Sequence, residues 1–315
     1  EAYGRVLREF EAFLAKNGQA VPPSEAGQRE CMAWVHSLRA DHAQSTVATY
    51  AAYLHRFYSY MTQVGAFDSN PMALVAAEMD ETIEKNPERR DISLPAMRGF
   101  VAGISHPLER AVVVTLLKTG VRVGELCNLD LRDLALTDSD IRAEYTLGGR
   151  GQLDGRDDSL FVASDIARGA AVNGEERTAA NKRKRTTIIP VDAELHGVLR
   201  VWLAIRPDTP SAAEPLFCST SDDWGLRLTP PMVRSLVRRH ARAMGWHRTG
   251  GDATENVTPH YFRHFFTTHL RDRTGDRGVV KYLRGDVAGD IIDTYTHNWG
   301  DRVRKCYVEN IYELL

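Results

Sequence analysis

The chain has 315 residues, of which 43% are hydrophobic and 26% charged. That is ample material for packed cores in two domains, and it excludes a disordered chain. A formal net charge of −2 and an isoelectric point near 6.7 exclude a uniformly basic nucleic-acid coat, so any DNA contact must rest on local clusters.

From the first residues onward the spacing is helical. Val6, Leu7, Phe10, Phe13 and Leu14 predict a helix over 3–16, and a second is expected over 24–38. A third, over 45–64, carries Tyr50, Tyr53, Leu54, Phe57, Tyr60 and Met61 on one stripe, which reads as core rather than as a base-stacking surface. Gly65 to Pro71 breaks this bundle, and the charged stretch 80–91 with Pro87 reads as an exposed linker. Beyond it, helices are expected over 94–104, 107–119, 122–128, 192–204, 230–244 and 261–273, with two more toward the end. Strands are few: 141–147, 160–163 and 186–190 are the candidates. The fold class is therefore mainly α with a small antiparallel β-sheet. The 60 residues from Arg122 to Lys182 include Gly- and Asp-rich pieces at 148–158 and 168–176, which read as a hairpin insertion with mobile ends.

Four scattered cysteines, Cys31, Cys127, Cys218 and Cys306, form no metal-ligand pair and read as free thiols of a reducing cytoplasm. The longest strongly apolar stretch, 111–117, is too short to span a membrane, and no signal peptide leads the chain. Positive charge is concentrated in two runs. Residues 226–251 hold no acidic group but six arginines (Arg227, Arg234, Arg238, Arg239, Arg242, Arg248), and 177–185 adds five basic residues. Solvated helix faces would explain an isolated run. Because both flank the candidate site described next, phosphate contacts are expected of them.

Residues 258–270 read TPHYFRHFFTTHL, and 283–297 read LRGDVAGDIIDTYTH. A histidine can move a proton near neutral pH, an arginine can grip a phosphate with a planar fork, and a tyrosine hydroxyl can attack phosphorus. A single His-x-x-Arg is expected by accident among 11 His and 40 Lys+Arg, so order and context carry the argument. Upstream, 116–133 reads LLKTGVRVGELCNLDLRD, and 181–190 reads NKRKRTTIIP, a basic turn entering a β-branched strand.

Arg, Lys, His-x-x-Arg and Tyr in that order resemble the tyrosine recombinases, the family of phage-type integrases and chromosome-dimer resolvases. The resemblance covers about 92–315, and the first 86 residues only through helical layout and the phrase NPM at 70–72. It implies an N-terminal helical core-binding domain over 1–86 and a catalytic domain over 87–315. Carried over by motif, TGVRVGEL implies the first arginine at Arg122 with Glu125 as its orienting partner, and PHYFRH implies His260 and Arg263. Counting back eight from Pro190 implies the lysine at Lys182, with Lys184 on the same turn. IDTYTH implies the nucleophile Tyr295, for which Tyr282, Tyr307 and Tyr312 are the alternatives. Where the family usually has Gly-His or Gly-Trp, this chain has Gly285-Asp286, and Asp286 is expected to accept hydrogen bonds from Arg263 or Arg284.

The family chemistry would join DNA to the tyrosine through a 3′-phosphotyrosyl bond, without metal or cofactor. It implies double-stranded DNA with specific recombination sites, a homotetramer on that DNA, and a cytoplasmic protein. Val303, Tyr307, Ile311 and Leu314 share one helical face, which in the family docks on a neighbouring protomer and otherwise would pack on its own domain. The first 86 residues hold seven basic and eleven acidic groups, and with the Arg-Gly-Asp variant this looks like integrases of halophilic archaea. Two rivals stand beside the recombinase: a type IB topoisomerase, and a DNA-binding regulator without catalysis.

Overall fold

The computed structural model describes residues 2–16, 21–82, 88–286 and 299–315, in two compact units, 1–87 and 88–315.

The first unit is a bundle of α1 (Ala2–Lys16), α2 (Gln28–Asp41), α3 (Gln44–Gln63) and α4 (Met72–Glu78). Its core joins Val6, Phe10 and Leu14 of α1 to Trp34 of α2, to Tyr50, Leu54 and Tyr58 of α3 and to Met72 of α4. The aromatic stripe of α3 differs from expectation by one residue. Tyr58 is buried, with its hydroxyl donating to Pro23 O at 2.8 Å, whereas Tyr60 is exposed. Positions 50, 54 and 58 continue one i, i+4 row, and Tyr60 falls off it. The second helix starts at Gln28 rather than at 24, because Pro22 O is taken by Glu25 and Ala26 N–H in a separate turn, and Glu30 caps Gly27 N–H at 2.9 Å.

In the second unit, α5 (Leu94–Ala102), α6 (Pro107–Thr119) and α7 (Val123–Cys127) lead to β1 (Leu134–Ala135) and α8 (Ser139–Glu144). β2 (Ser159–Val162), β3 (Ala171–Val172), β4 (Glu175–Glu176) and β5 (Thr187–Pro190) follow, then α9 (Ala193–Leu203), α10 (Pro230–Ala243), α11 (Pro259–Thr274), α12 (Arg277–Arg284) and α13 (Trp299–Asn310). Residues 141–147 are no strand. Asp138 caps Asp140 and Ile141 N–H and starts α8, and the sheet instead uses Leu134 and Ala135, in the antiparallel order β1-β2-β5 with Leu160 opposite Ile189. α6 is buried along its length and is the hub of this core.

The insertion is anchored rather than loose at 171–176. Asn173 and Gly174, with φ 55° and 80°, form the tight turn of the β3–β4 hairpin. Arg177 and Arg227 are both buried on Asp130 at 2.7 Å, and Arg227 also reaches Glu175 at 2.7 Å. An Asn-Gly pair is the sequence signal of such a hairpin.

The C-terminal segment packs on its own domain. Val303, Tyr307, Tyr312 and Leu314 are buried in the core of the second unit, and Tyr307 donates to Lys118 O at 2.9 Å. Lys118, fully buried, pairs with Asp192 at 2.7 Å and donates to Tyr312 O, while Glu194 accepts from Leu314 and Leu315 N–H at 2.8 Å. A buried ammonium needs such a cage of acceptors, and the tail supplies part of it. Among the described residues no helix is long and apolar enough to cross a membrane, and no three metal-ligating side chains cluster.

Candidate active site

Two tight turns set the site. Gly120 ends α6 in the left-handed region (φ 62°), where a Cβ would meet Phe266 Cδ1 at 2.3 Å. The chain can then turn so that Arg122 becomes the N-cap of α7, and Glu125, one turn on, accepts Arg122 N–H at 2.8 Å and Arg122 Nη1 at 3.0 Å. Gly285 ends α12 at φ 68°, and a Cβ there would strike Arg183 Cγ at 2.9 Å. Asp286 follows, with its N–H held by Lys281 O at 3.1 Å.

Three arginines converge on the Asp286 carboxylate. Arg122 Nη2 donates to Oδ1 at 3.0 Å, Arg263 Nη2 donates to the same Oδ1 at 2.8 Å, and Arg284 Nη2 lies 2.9 Å from Oδ2. Arg263, on the second turn of α11, is 2% exposed, and it also donates to Gly120 O at 2.6 Å and Arg284 O at 3.0 Å. Burial, then repulsion from Arg122, pushes this guanidinium's pKa down, and Asp286 pulls it back. The expected acceptor role of Asp286 is thus met by both Arg263 and Arg284, with Arg122 in addition.

His260 sits one turn before Arg263 on α11 and has no hydrogen-bond partner among the described residues, so it does not cap its helix backbone. Partial desolvation, then Arg89, Arg263, Arg122 and Arg284, hold its pKa below the usual 6.5. The imidazole is therefore neutral at pH 7 and able to accept a proton. A titration of His260 by NMR should give a value below 6.5, and Arg89→Ala should raise it by removing the largest repulsion among the arginines. A wild-type value above 6.5 would contradict this environment. Because the folded value lies below the unfolded one, protonation favours the unfolded chain, and stability contributed here is lost as pH falls below about 6.5.

In the basic turn, Asn181 and Arg183 are buried while Lys182 and Lys184 are exposed. Arg183 lies 3.2 Å from Glu125 Oε2 and donates to Leu283 O at 3.0 Å and to Thr187 Oγ1. Lys184 N–H reaches Gly285 O at 2.8 Å, which ties the turn to the end of α12. Lys182 and Lys184 point away together, as side chains two apart on an extended chain do. Sequence reasoning counted Arg183 as one more basic residue. The period-two alternation entering β5 was the signal that it faces inward. Arg89 was likewise missed as a member of the cationic cluster.

The phosphate role expected of the basic runs is corrected for three of their arginines. Arg177, Arg183 and Arg227 are buried in ion pairs, whereas Arg239 pairs with Glu109 and Arg248 with Glu255 at 2.6 Å while both stay exposed. Carboxylates distant in sequence, such as Glu109 and Asp130, neutralise runs that look free of acid. Tyr307 and Tyr312 are fully buried, and burial drives their pKa values well above 10. A phenoxide is disfavoured at both, which weakens them as nucleophiles. Tyr295 lies outside the described residues.

The phage integrase family model matches residues 104–300. The tyrosine recombinase XerC of Pelobacter propionicus is 24% identical over 310 residues, covering 97% of this chain and 86% of that protein. The XerC of Methylobacterium nodulans is 26% identical over 309 residues, covering 94% and 81%. Both are bacterial and lend no support to the resemblance to integrases of halophilic archaea. In fold, the chain is similar to the Tn1549 transposon integrase in complex with transposon right end DNA (TM-score 0.65, 16% identity, 95% of this chain and 92% of that one). It is also similar to a lambda integrase dimer bound to a COC′ core site (TM-score 0.58, 13% identity, 99% and 73%). The family match takes in more than half of the chain, including all three converging arginines, His260 and the basic turn, and the chain belongs to the phage integrase family.

Proposed function

We propose that this chain, a tyrosine-type site-specific recombinase that cleaves and rejoins DNA, does so with Tyr295 as its nucleophile and Arg122 and Arg263 as the grip on the scissile phosphate. The observation that carries this reading is the convergence of two arginines 141 residues apart on a single anionic oxygen, at 3.0 and 2.8 Å. Two donors meeting at one oxygen are what a non-bridging phosphate oxygen requires as charge builds on it. Four guanidinium groups (Arg122, Arg183, Arg263, Arg284) stand against two carboxylates (Glu125, Asp286), leaving two positive charges for the doubly negative transition state.

Tyr295 Oη attacks phosphorus, the P–O5′ bond breaks, and a 3′-phosphotyrosyl link forms. The departing 5′-oxygen takes a proton from Lys182, with Lys184 its neighbour on the turn, while neutral His260 assists proton movement around the tyrosine and phosphate. A second 5′-hydroxyl then attacks the link and reseals the strand, returning the tyrosine. The helical unit at the N-terminus serves as the second DNA contact. The substrate is double-stranded DNA with paired specific sites, engaged by four copies of the chain in the cytoplasm.

The test is a half-site nicked beside the scissile phosphate, so that the cleaved strand diffuses away and the adduct accumulates. Wild type should form a covalent adduct that maps to Tyr295, and Tyr295→Phe should bind DNA but form none. An adduct on another tyrosine, or none with wild type, would overturn the assignment.

A further inference from the structure

The contact with Asp286 leaves the guanidinium of Arg284 largely uncommitted. Arg263 is enclosed and commits three of its five N–H groups to Gly120 O, Arg284 O and Asp286. Arg122 divides its fork between Glu125 and Asp286. The Arg284 side chain, 30% exposed, meets only Asp286 Oδ2 among the described residues, and its Nε has no hydrogen-bond partner among them. Nε itself is buried, so the donors left on the accessible side belong to the terminal nitrogens, beside Arg122, whose side chain is also 30% exposed.

The backbone holds this pair in place. Arg284 O accepts from Arg263, and Gly285 N–H and Asp286 N–H bond back to Tyr282 O and Lys281 O at 2.8 and 3.1 Å, closing the helix end. Asp286 is thereby aimed at the arginines. A carboxylate cannot donate to phosphate, whereas a guanidinium can. Arg284, two residues before Asp286 and in contact with it, is a side chain able to do so.

Resting on the recombinase reading, we propose that Arg284 is a third phosphate-binding side chain, which touches a non-bridging oxygen of the scissile phosphate, and that Asp286 is its positioning residue. Asp286 keeps three mutually repelling guanidinium groups within reach of one phosphate, and Arg284 completes the donor set.

The test compares adduct formation on the nicked half-site at saturating DNA, using an ordinary scissile phosphate and one in which methyl replaces a non-bridging oxygen. Arg284→Ala should slow adduct formation on the ordinary substrate by about 10²-fold, as loss of one oxyanion donor does elsewhere. Arg284→Lys, which keeps the charge without the fork, should recover part of the rate. On the neutral substrate, where less negative charge needs stabilising, the gap between wild type and Arg284→Ala should shrink to within about threefold. The urea midpoint should be unmoved, since the lost side chain is partly exposed. Equal losses on both substrates would assign Arg284 a structural role and overturn the proposal, as would wild-type rates in Arg284→Ala. Absence of any wild-type adduct would instead sink the underlying recombinase reading.

Discussion

Arg122→Ala and Arg263→Ala should each lower DNA cleavage by a factor on the order of 10³–10⁵, the range found where an arginine neutralises a phosphoryl-transfer transition state. The two should differ in stability. Arg263 is 2% exposed and donates to Gly120 O and Arg284 O, so its removal strands the buried Gly120 O at about 1–3 kcal/mol and loses the half-buried bond to Arg284 O. The Arg122 side chain is 30% exposed, and its buried partner Glu125 keeps Arg183 at 3.2 Å, so Arg122→Ala should fold nearly as wild type while failing to cleave. Denaturant midpoints alongside adduct rates check both. A loss under tenfold in Arg122→Ala would remove it from the chemistry. An unchanged midpoint in Arg263→Ala would mean that its carbonyl contacts contribute little to the fold.

Deletion of residues 303–315 should unfold the second unit rather than leave a soluble protein defective only in assembly. The deletion removes Val303, Tyr307, Tyr312 and Leu314 from the core, each worth about 1.5–3 kcal/mol of burial, against a typical domain stability of about 5–15 kcal/mol. It also takes Tyr312 O from the fully buried Lys118 and opens that ammonium's cage. Circular dichroism and a urea titration of the truncated chain would register a lost or strongly lowered midpoint. A cooperative transition near the wild-type midpoint would show that the tail adds little to its own domain, returning it to the role of an arm for a neighbour.

Much of this architecture is readable in one dimension because its causes are local. Period 3.6 apolar spacing marks α1 and α11, and the β-branched run marks β5, since each pattern states which face is buried. The order of Arg122, Lys182, His260, Arg263 and Tyr295 is likewise a property of the chain, and it points to phosphodiester chemistry before any contact is known. At Asp286 the residue type alone dictated an acceptor role, because a carboxylate offers no proton.

Tertiary structure decided which charges are available. Nothing in 226–251 reveals that Arg227 is buried on Asp130 and Glu175, or that Arg239 meets Glu109, because those carboxylates lie 52 to 130 residues away. The tail's apolar face announced burial but not its site, which depended on a cage built from Lys118, Asp192 and Glu194 of two other helix regions. The strand placed at 141–147 failed because the Asp138 cap starts α8 there, while the edge of β2 is taken by Leu134 and Ala135, a pairing only the three-dimensional structure settles. Hydrophobic period, turn residues and motif order are written along the chain. Ion pairing is set by distance in space, and a sequence carries that only once the helices have packed.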